Sequence, residues 1–177
     1  MAKITLFGLA GTGTSSTGKT LAKELKYAFL SAGDFCRQQA KELGISIYER
    51  GEIARIDPKF DLEVDERTAK FGKENKDFVV EGWLAWHAVP DSIKIKLSCD
   101  LDTRVKRVAH RDGVHFEEAK MLTLSREQTN ADRYLKYYSI QDFSADSHFD
   151  LVIDTTSNPI PVVIDKIKAY LKEQDLI

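Results

Sequence analysis

Lys3-Ile-Thr-Leu-Phe-Gly8-Leu-Ala-Gly11-Thr-Gly13-Thr-Ser-Ser-Thr-Gly18-Lys19-Thr20 reads as an apolar strand, a loop of glycines and hydroxyls, and the start of a helix. That order builds a phosphate cradle. Glycines let backbone N–H groups crowd an anion, and the helix N-terminus adds the positive end of its dipole. Two registers compete. The pattern G-x-x-x-x-G-K-[ST] is met at Gly13 to Thr20. A strand ending at Phe7, however, wants its loop to begin at Gly8, which gives Gly8-Leu-Ala-Gly11-Thr-Gly13-Thr14-Ser15, with Thr14 where a lysine usually stands. The late register leaves Gly8 to Thr12 as an unexplained spacer and only a stub of helix before Tyr27. The early register gives a helix from about Gly13 to Lys26, an ordinary length. The early register is therefore favoured, with Gly18 and Lys19 inside the helix.

The chain of 177 residues, 42% of them hydrophobic, fits one globular domain with a sizeable core. A net charge of −2 supplies no basic field for nucleic acid. Cys36 and Cys99 lie far apart without C-x-x-C spacing, which reads as two reduced thiols in a cytoplasmic protein. No apolar run approaches a membrane span, and Ile4 to Ala10 lacks the flanks and cleavage site of a signal peptide.

Five short runs read as strands: Ile4 to Phe7, Ala28 to Ser31, Phe78 to Glu81, Ile93 to Leu97 and Leu151 to Asp154. They are apolar and β-branched without clean alternation, as strands buried on both faces should be. Helical pattern lies between them. Val105, Val108 and Ala109 make one stripe, and Val163, Ile167, Tyr170 and Leu171 another, with Pro159 and Pro161 where that last helix would begin. Strand–helix alternation predicts a parallel α/β sheet with ligands at the carboxyl ends of its strands. Gln38 to Lys76 and Asp112 to Tyr137 are charged and read as excursions from the core.

Each strand end carries a useful group. The second leads into Ser31-Ala32-Gly33-Asp34-Phe35-Cys36-Arg37, where a helix beginning near Asp34 would be capped by its carboxylate and would set Arg37 near the cleft. The third ends at Glu81-Gly82, a carboxylate placed to hold magnesium through water, the plainer reading being a cap or an ion pair. The fourth leads into a helix with Arg104, Arg107 and Arg111 on the face opposite the valine stripe; alone, such a face is solvated as often as functional. Arg126 and Arg133 follow, two turns apart on one face. Guanidinium forks suit phosphate oxygens.

On these motifs the chain resembles the nucleoside monophosphate kinases, and within them the cytidylate kinases of the small archaeal type, nearly end to end. Gly8, Gly11, Thr12, Gly13, Thr14, Ser15 and Ser16 match that subgroup's phosphate loop, which carries threonine where relatives have lysine. Ser31-Ala-Gly33-Asp34-Phe-Cys-Arg37 is similar to the motif whose arginine grips the acceptor phosphate, and Asp57 to Arg67, with Asp61, Asp65 and Arg67, to the acidic acceptor-binding segment. By the same resemblance Arg107 stacks on the donor adenine, Arg111 reaches the phosphates, and Arg126 and Arg133 are the paired lid arginines. Thr155 falls in the loop beside the donor base. The resemblance implies a P-loop NTPase fold of the α/β class, a five-stranded parallel sheet flanked by helices. Residues 1–177 would form a single kinase domain, with an NMP-binding excursion at about 34–76 and a lid at about 112–137.

One departure stands out. After Glu81-Gly82 the resembled pattern has arginine, and this chain has Trp83, followed by Trp86 and His87. Gly82 and Trp83 then join the acceptor wall, where Trp83 either stacks on a base or packs in the core. The chemistry implied is ATP-dependent phosphorylation of CMP or dCMP. Backbone amides of Gly11 to Ser15 hold the donor β-phosphate, Ser15 ligates Mg2+ and Glu81 orders its water shell. Arg37, Arg111, Arg126 and Arg133 are the catalytic charges. The expected partners are ATP and a small nucleotide acceptor, for a monomer without nucleic-acid or membrane partners. Two alternatives remain: a kinase of another small acceptor such as a shikimate-like alcohol, with Asp34 as base, and a nucleotide-binding module without catalysis.

Overall fold

The computed structural model describes residues 2–177. Five parallel strands, β1 (Lys3–Phe7), β2 (Ala28–Ser31), β3 (Phe78–Glu81), β4 (Ile93–Ser98) and β5 (Leu151–Asp154), form one sheet in the order β2-β3-β1-β4-β5. Helix α1 (Thr14–Leu25) joins β1 to β2. Helices α2 (Ala32–Glu42), α3 (Ile47–Ile56) and α4 (Lys59–Glu74) fill the stretch between β2 and β3. A single turn, α5 (Ala85–Ala88), follows β3. Beyond β4 come α6 (Leu101–Asp112) and α7 (Phe116–Tyr138), and α8 (Ile160–Glu173) closes the chain.

Strand burial explains why β1 and β3 lack alternation, being buried on both faces, whereas β4, Ile93-Lys-Ile-Lys-Leu-Ser98, alternates in sequence and buries Ile95 and Leu97. Ile4, Leu6, Val79, Ile95, Leu97 and Ile153 pack with Leu21 of α1 and Ile164, Ile167 and Leu171 of α8. On other faces, Phe7 packs with Leu84, Tyr134 and Phe143, and Phe78 and Val80 with Ala85 and Val89. The central strands β1 and β3 are covered on both sides, as in a parallel sheet, while the edge strand β5 leaves Val152 exposed. Thr5, buried in the central strand, satisfies its hydroxyl with Ser92 Oγ at 2.8 Å. No helix among the described residues is long and apolar enough to cross a membrane.

Register sets up the site. Leu6 pairs with Glu81, and Glu81 with Ser31, so three strand ends open on one edge in one row. One expectation is corrected here and one open alternative is settled. Helix α2 begins at Ala32, not near Asp34, and its cap is Ser31, whose Oγ accepts from the Asp34 N–H at 2.9 Å. The strand runs straight into the helix, which leaves the serine at the boundary to do the capping. Arg104 does not join a solvated face. Packing of α7 on α6 buries it, and it donates to Glu127 Oε1 at 2.6 Å and to the Ala10 carbonyl at 3.2 Å.

Candidate active site

Helix α1 starts at Thr14, with Gly13 in the left-handed region (φ 91°) as its N-cap, and ends at Leu25. This is the early register. Gly11 is also left-handed (φ 87°), and a Cβ there would lie 2.4 Å from the Arg104 carbonyl oxygen, so only glycine fits. No side chain caps α1, which leaves its first-turn N–H groups to an anion. Thr12 locks the loop from within, its hydroxyl donating to the Leu9 carbonyl at 2.8 Å. Thr14 and Ser16 line the cleft mouth beside it.

Lys19 sits inside α1 and faces Asp34 Oδ2 at 3.5 Å, both groups exposed. Such a pair contributes little. Lys19→Ala is therefore expected to leave ATP binding and turnover within about fivefold of the wild type, the span of an exposed ion pair. Loss of ATP binding in a direct titration would reinstate the late register.

Glu81 is buried, and its carboxylate accepts from Ser15 Oγ at 3.1 Å and from the Ser31 hydroxyl. It forms no salt bridge with any described residue. A buried carboxylate facing the phosphate loop with hydroxyls but no cation suits a divalent ion held by one hydroxyl, water and substrate phosphates. No group of three His, Cys, Asp or Glu able to hold a metal occurs among the described residues, so an all-protein cage is not the arrangement offered. Ser31 serves this site by carrying Glu81 and capping α2 rather than by lining the cleft. Gly82 packs close to Ala32, where a Cβ would approach to 2.7 Å.

The arginines differ sharply in what holds them. Arg37 donates to Asp34 at 2.6 Å, and that bond is the main reason the Asp34 carboxyl lies below its ordinary value. A Cβ on Gly33 would lie 3.4 Å from both the Arg37 guanidinium and Glu81, which places the two groups on the same side of the cleft. Arg107 donates to the Thr155 carbonyl at 2.8 Å and the Gly11 carbonyl at 3.2 Å. The Thr155 hydroxyl donates to the Thr12 carbonyl at 2.9 Å, which ties the loop after β5 to the phosphate loop, and Thr155 also borders the cleft. Arg111 forms a bidentate pair with Asp112, at 2.6 and 2.9 Å.

Arg133 is held by Asp61, at 2.9 and 3.3 Å, and by the Gly51 carbonyl. Arg50 binds the same carboxylate at 3.2 Å and also Gln39. Arg126 has no carboxylate, carbonyl or hydroxyl partner among the described residues. Its guanidinium lies 4.9 Å from the Trp83 ring centroid, and burial pushes it below its ordinary value. Arg67 is placed outside the cleft: it is exposed and stacks on Phe35 at 4.4 Å. Nothing in the sequence singled out Arg50, Gln39 or Tyr138, because their hydrogen-bond partners lie 10 to 73 positions away and no local spacing marks them.

Asp65 lies on the cleft wall and accepts a hydrogen bond from the Tyr138 hydroxyl. Burial pushes its carboxyl up to about 6, and the tyrosine bond only partly offsets this. The folded chain thus binds this proton more tightly than the unfolded chain. Asp65 makes stability fall as pH rises from about 4 to about 6, by at most about 3 kcal/mol, and adds no slope above. Asp65→Asn, which keeps an acceptor for Tyr138, is expected to be more stable than the wild type at pH 8 and level with it near pH 4. Urea unfolding at both values checks this; a variant less stable at pH 8 would refute it.

All of these walls enclose one cavity of about 1240 Å³, running from the phosphate loop past Glu81 and Arg126 to Asp61, Asp65 and Tyr138. An uncapped glycine loop on a central strand, a lone buried carboxylate beside it and an arginine wall opposite define a P-loop phosphotransferase. The comparisons narrow this class. The sequence profile of the Cytidylate kinase-like family matches residues 3–157, and the chain belongs to that family. It is similar to the cytidylate kinase of Methanococcoides burtonii, 36% identical over 93% of this chain and 94% of the relative. It is also similar to that of Pyrococcus abyssi, 42% identical over 86% and 84%. Among solved structures it shares its fold with a shikimate kinase from Aquifex aeolicus, with a TM-score of 0.61 at 17% identity, over 98% of each chain.

Proposed function

We propose that this protein is a nucleoside monophosphate kinase that transfers the terminal phosphoryl group of ATP to the phosphate of CMP or dCMP, giving the diphosphate and ADP. What carries the reading is that the donor cradle and the acceptor wall open into one cavity, and that, among the described residues, Arg126 alone of the cavity's arginines has no hydrogen-bond partner for its N–H groups. The amides of Gly11 to Ser15 receive the donor β-phosphate at the positive end of α1. Ser15 and Glu81 hold Mg2+, the latter through water; the ion neutralises charge on the phosphates when bound. Arg37 aligns the acceptor phosphate, exchanging its bond to Asp34 for the ligand, and Arg126 and Arg111 face the transferring group. No general base is needed, because the attacking atom is already a phosphate oxygen.

In this reading residues 34–76 form the acceptor-binding excursion, and residues 112–137, the α6–α7 turn with α7, form the lid. A shikimate-like alcohol would need a base. Asp34 is poorly suited, since Arg37 lowers its proton affinity. The test is ADP release from Mg·ATP across CMP, dCMP, UMP, AMP, GMP and shikimate. Turnover with CMP or dCMP is expected. Turnover with shikimate alone would replace the acceptor, and silence across the panel with ATP still bound would make the chain a binding module.

A further inference from the structure

Arg126 has no hydrogen-bond partner among the described residues, yet it is not a loose side chain. Its guanidinium lies over the indole of Trp83, whose ring stacks on Phe143 with centroids 5.6 Å apart and planes 26° from parallel. Phe143 is itself buried, edge-on to Phe7 at 5.9 Å and to Tyr134 at 5.1 Å. The indole therefore rests on a rigid aromatic floor. It sits two residues beyond Glu81, while Arg126 comes from α7, so the contact ties the lid helix to the strand end that carries the buried carboxylate.

A long arginine without a partner would lose much rotamer freedom on binding a phosphate. A carboxylate could hold it still, as Asp61 holds Arg133, but would also neutralise it and occupy its donors. An aromatic face does neither. It attracts the cation through the ring quadrupole and leaves the N–H groups at the guanidinium edge free. We propose that Trp83 is the positioning residue for Arg126, holding the guanidinium aimed into the cleft with its charge and its hydrogen-bond donors unspent for the transferring phosphoryl group. This rests on the nucleoside monophosphate kinase reading above. It also assigns a use to the tryptophan that stands where the resembled pattern has arginine.

The test is a double-mutant cycle read in kcat and KM with CMP and ATP, using Trp83→Leu, Trp83→Phe, Arg126→Ala and the Trp83→Leu/Arg126→Ala pair. Trp83→Leu is expected to lower kcat about tenfold, within the span of a desolvated cation–π contact, with KM for both substrates within about twofold. Trp83→Phe, which restores a ring face, should recover most of that loss. In the Arg126→Ala background, Trp83→Leu should cost nothing further in kcat. Should the leucine variant not fold, Trp83→Met fills similar space without a ring face and takes its place. An equal loss in the Arg126→Ala background, leucine and phenylalanine variants that behave alike, or a rise in KM for CMP at unchanged kcat would each overturn the proposal. Turnover by the wild type with a flat Trp83 series overturns this inference alone, whereas a wild type that turns over no monophosphate overturns the functional reading itself.

Discussion

Arg126→Ala is expected to slow single-turnover phosphoryl transfer by at least about 10³-fold, the low end of what an arginine aimed at a transferring phosphoryl group supplies. The size follows from what Arg126 is not doing in the absence of ligand. Arg37, Arg50, Arg107, Arg111 and Arg133 are each tied to a carboxylate or a carbonyl. Any of them must give up a partner before it can act fully on substrate. Arg126 gives up nothing, and the phosphate loop has Thr14 where a lysine would share the load. Because the charge is needed only as the phosphoryl group moves, the loss should appear in the rate of the chemical step, with ATP affinity little changed. A loss under about tenfold in rapid-quench measurements would remove Arg126 from the chemistry.

The sequence pairs Arg126 with Arg133 on one helix face, and spacing alone gives no reason to separate them. Tertiary packing does. Asp61 comes from α4, 72 positions away, and its approach to Arg133 cannot be read from helical periodicity. The same limit explains Arg104: a basic residue beside a valine stripe looks solvated until α7 brings Glu127 against it. The strands and the phosphate loop were legible because their signals are local. A strand ending at Phe7 and a helix needing three turns before Tyr27 leave one workable register, and the structure adopts it. Glu81 was legible for a similar reason, as a carboxylate at the end of a buried strand. Its pairing with Ser31 follows once the strand order is known, since the register sets both in one row. Arg67, by contrast, sits within an acidic motif yet points away, because Phe35 of α2 offers its guanidinium a ring to cover.

Asp61→Ala is expected to lower the free energy of unfolding by about 3–5 kcal/mol, the usual consequence of removing one partner from a buried ion pair. Asp61 is 7% exposed and lies between Arg50 and Arg133, each 3% exposed. One carboxylate thus compensates two guanidinium groups, and its loss leaves both charges away from water. The Gln39, Phe60 and Gly51 oxygens that also accept from these arginines soften the penalty but carry no charge. Arg50→Met makes a useful contrast, because it leaves the Arg133–Asp61 pair intact and is expected to destabilise by only about 1–3 kcal/mol. Urea unfolding of both variants separates the two causes. If the loss came from contacts alone, the longer Arg50, with its four hydrogen bonds, should matter at least as much as Asp61. If uncompensated charge dominates, Asp61→Ala must be the worse variant. An Asp61→Ala protein within about 1 kcal/mol of the wild type would mean that water reaches the two arginines freely, and the junction of α3, α4 and α7 would then not be the dry clamp, two guanidinium groups on one carboxylate, that these distances describe.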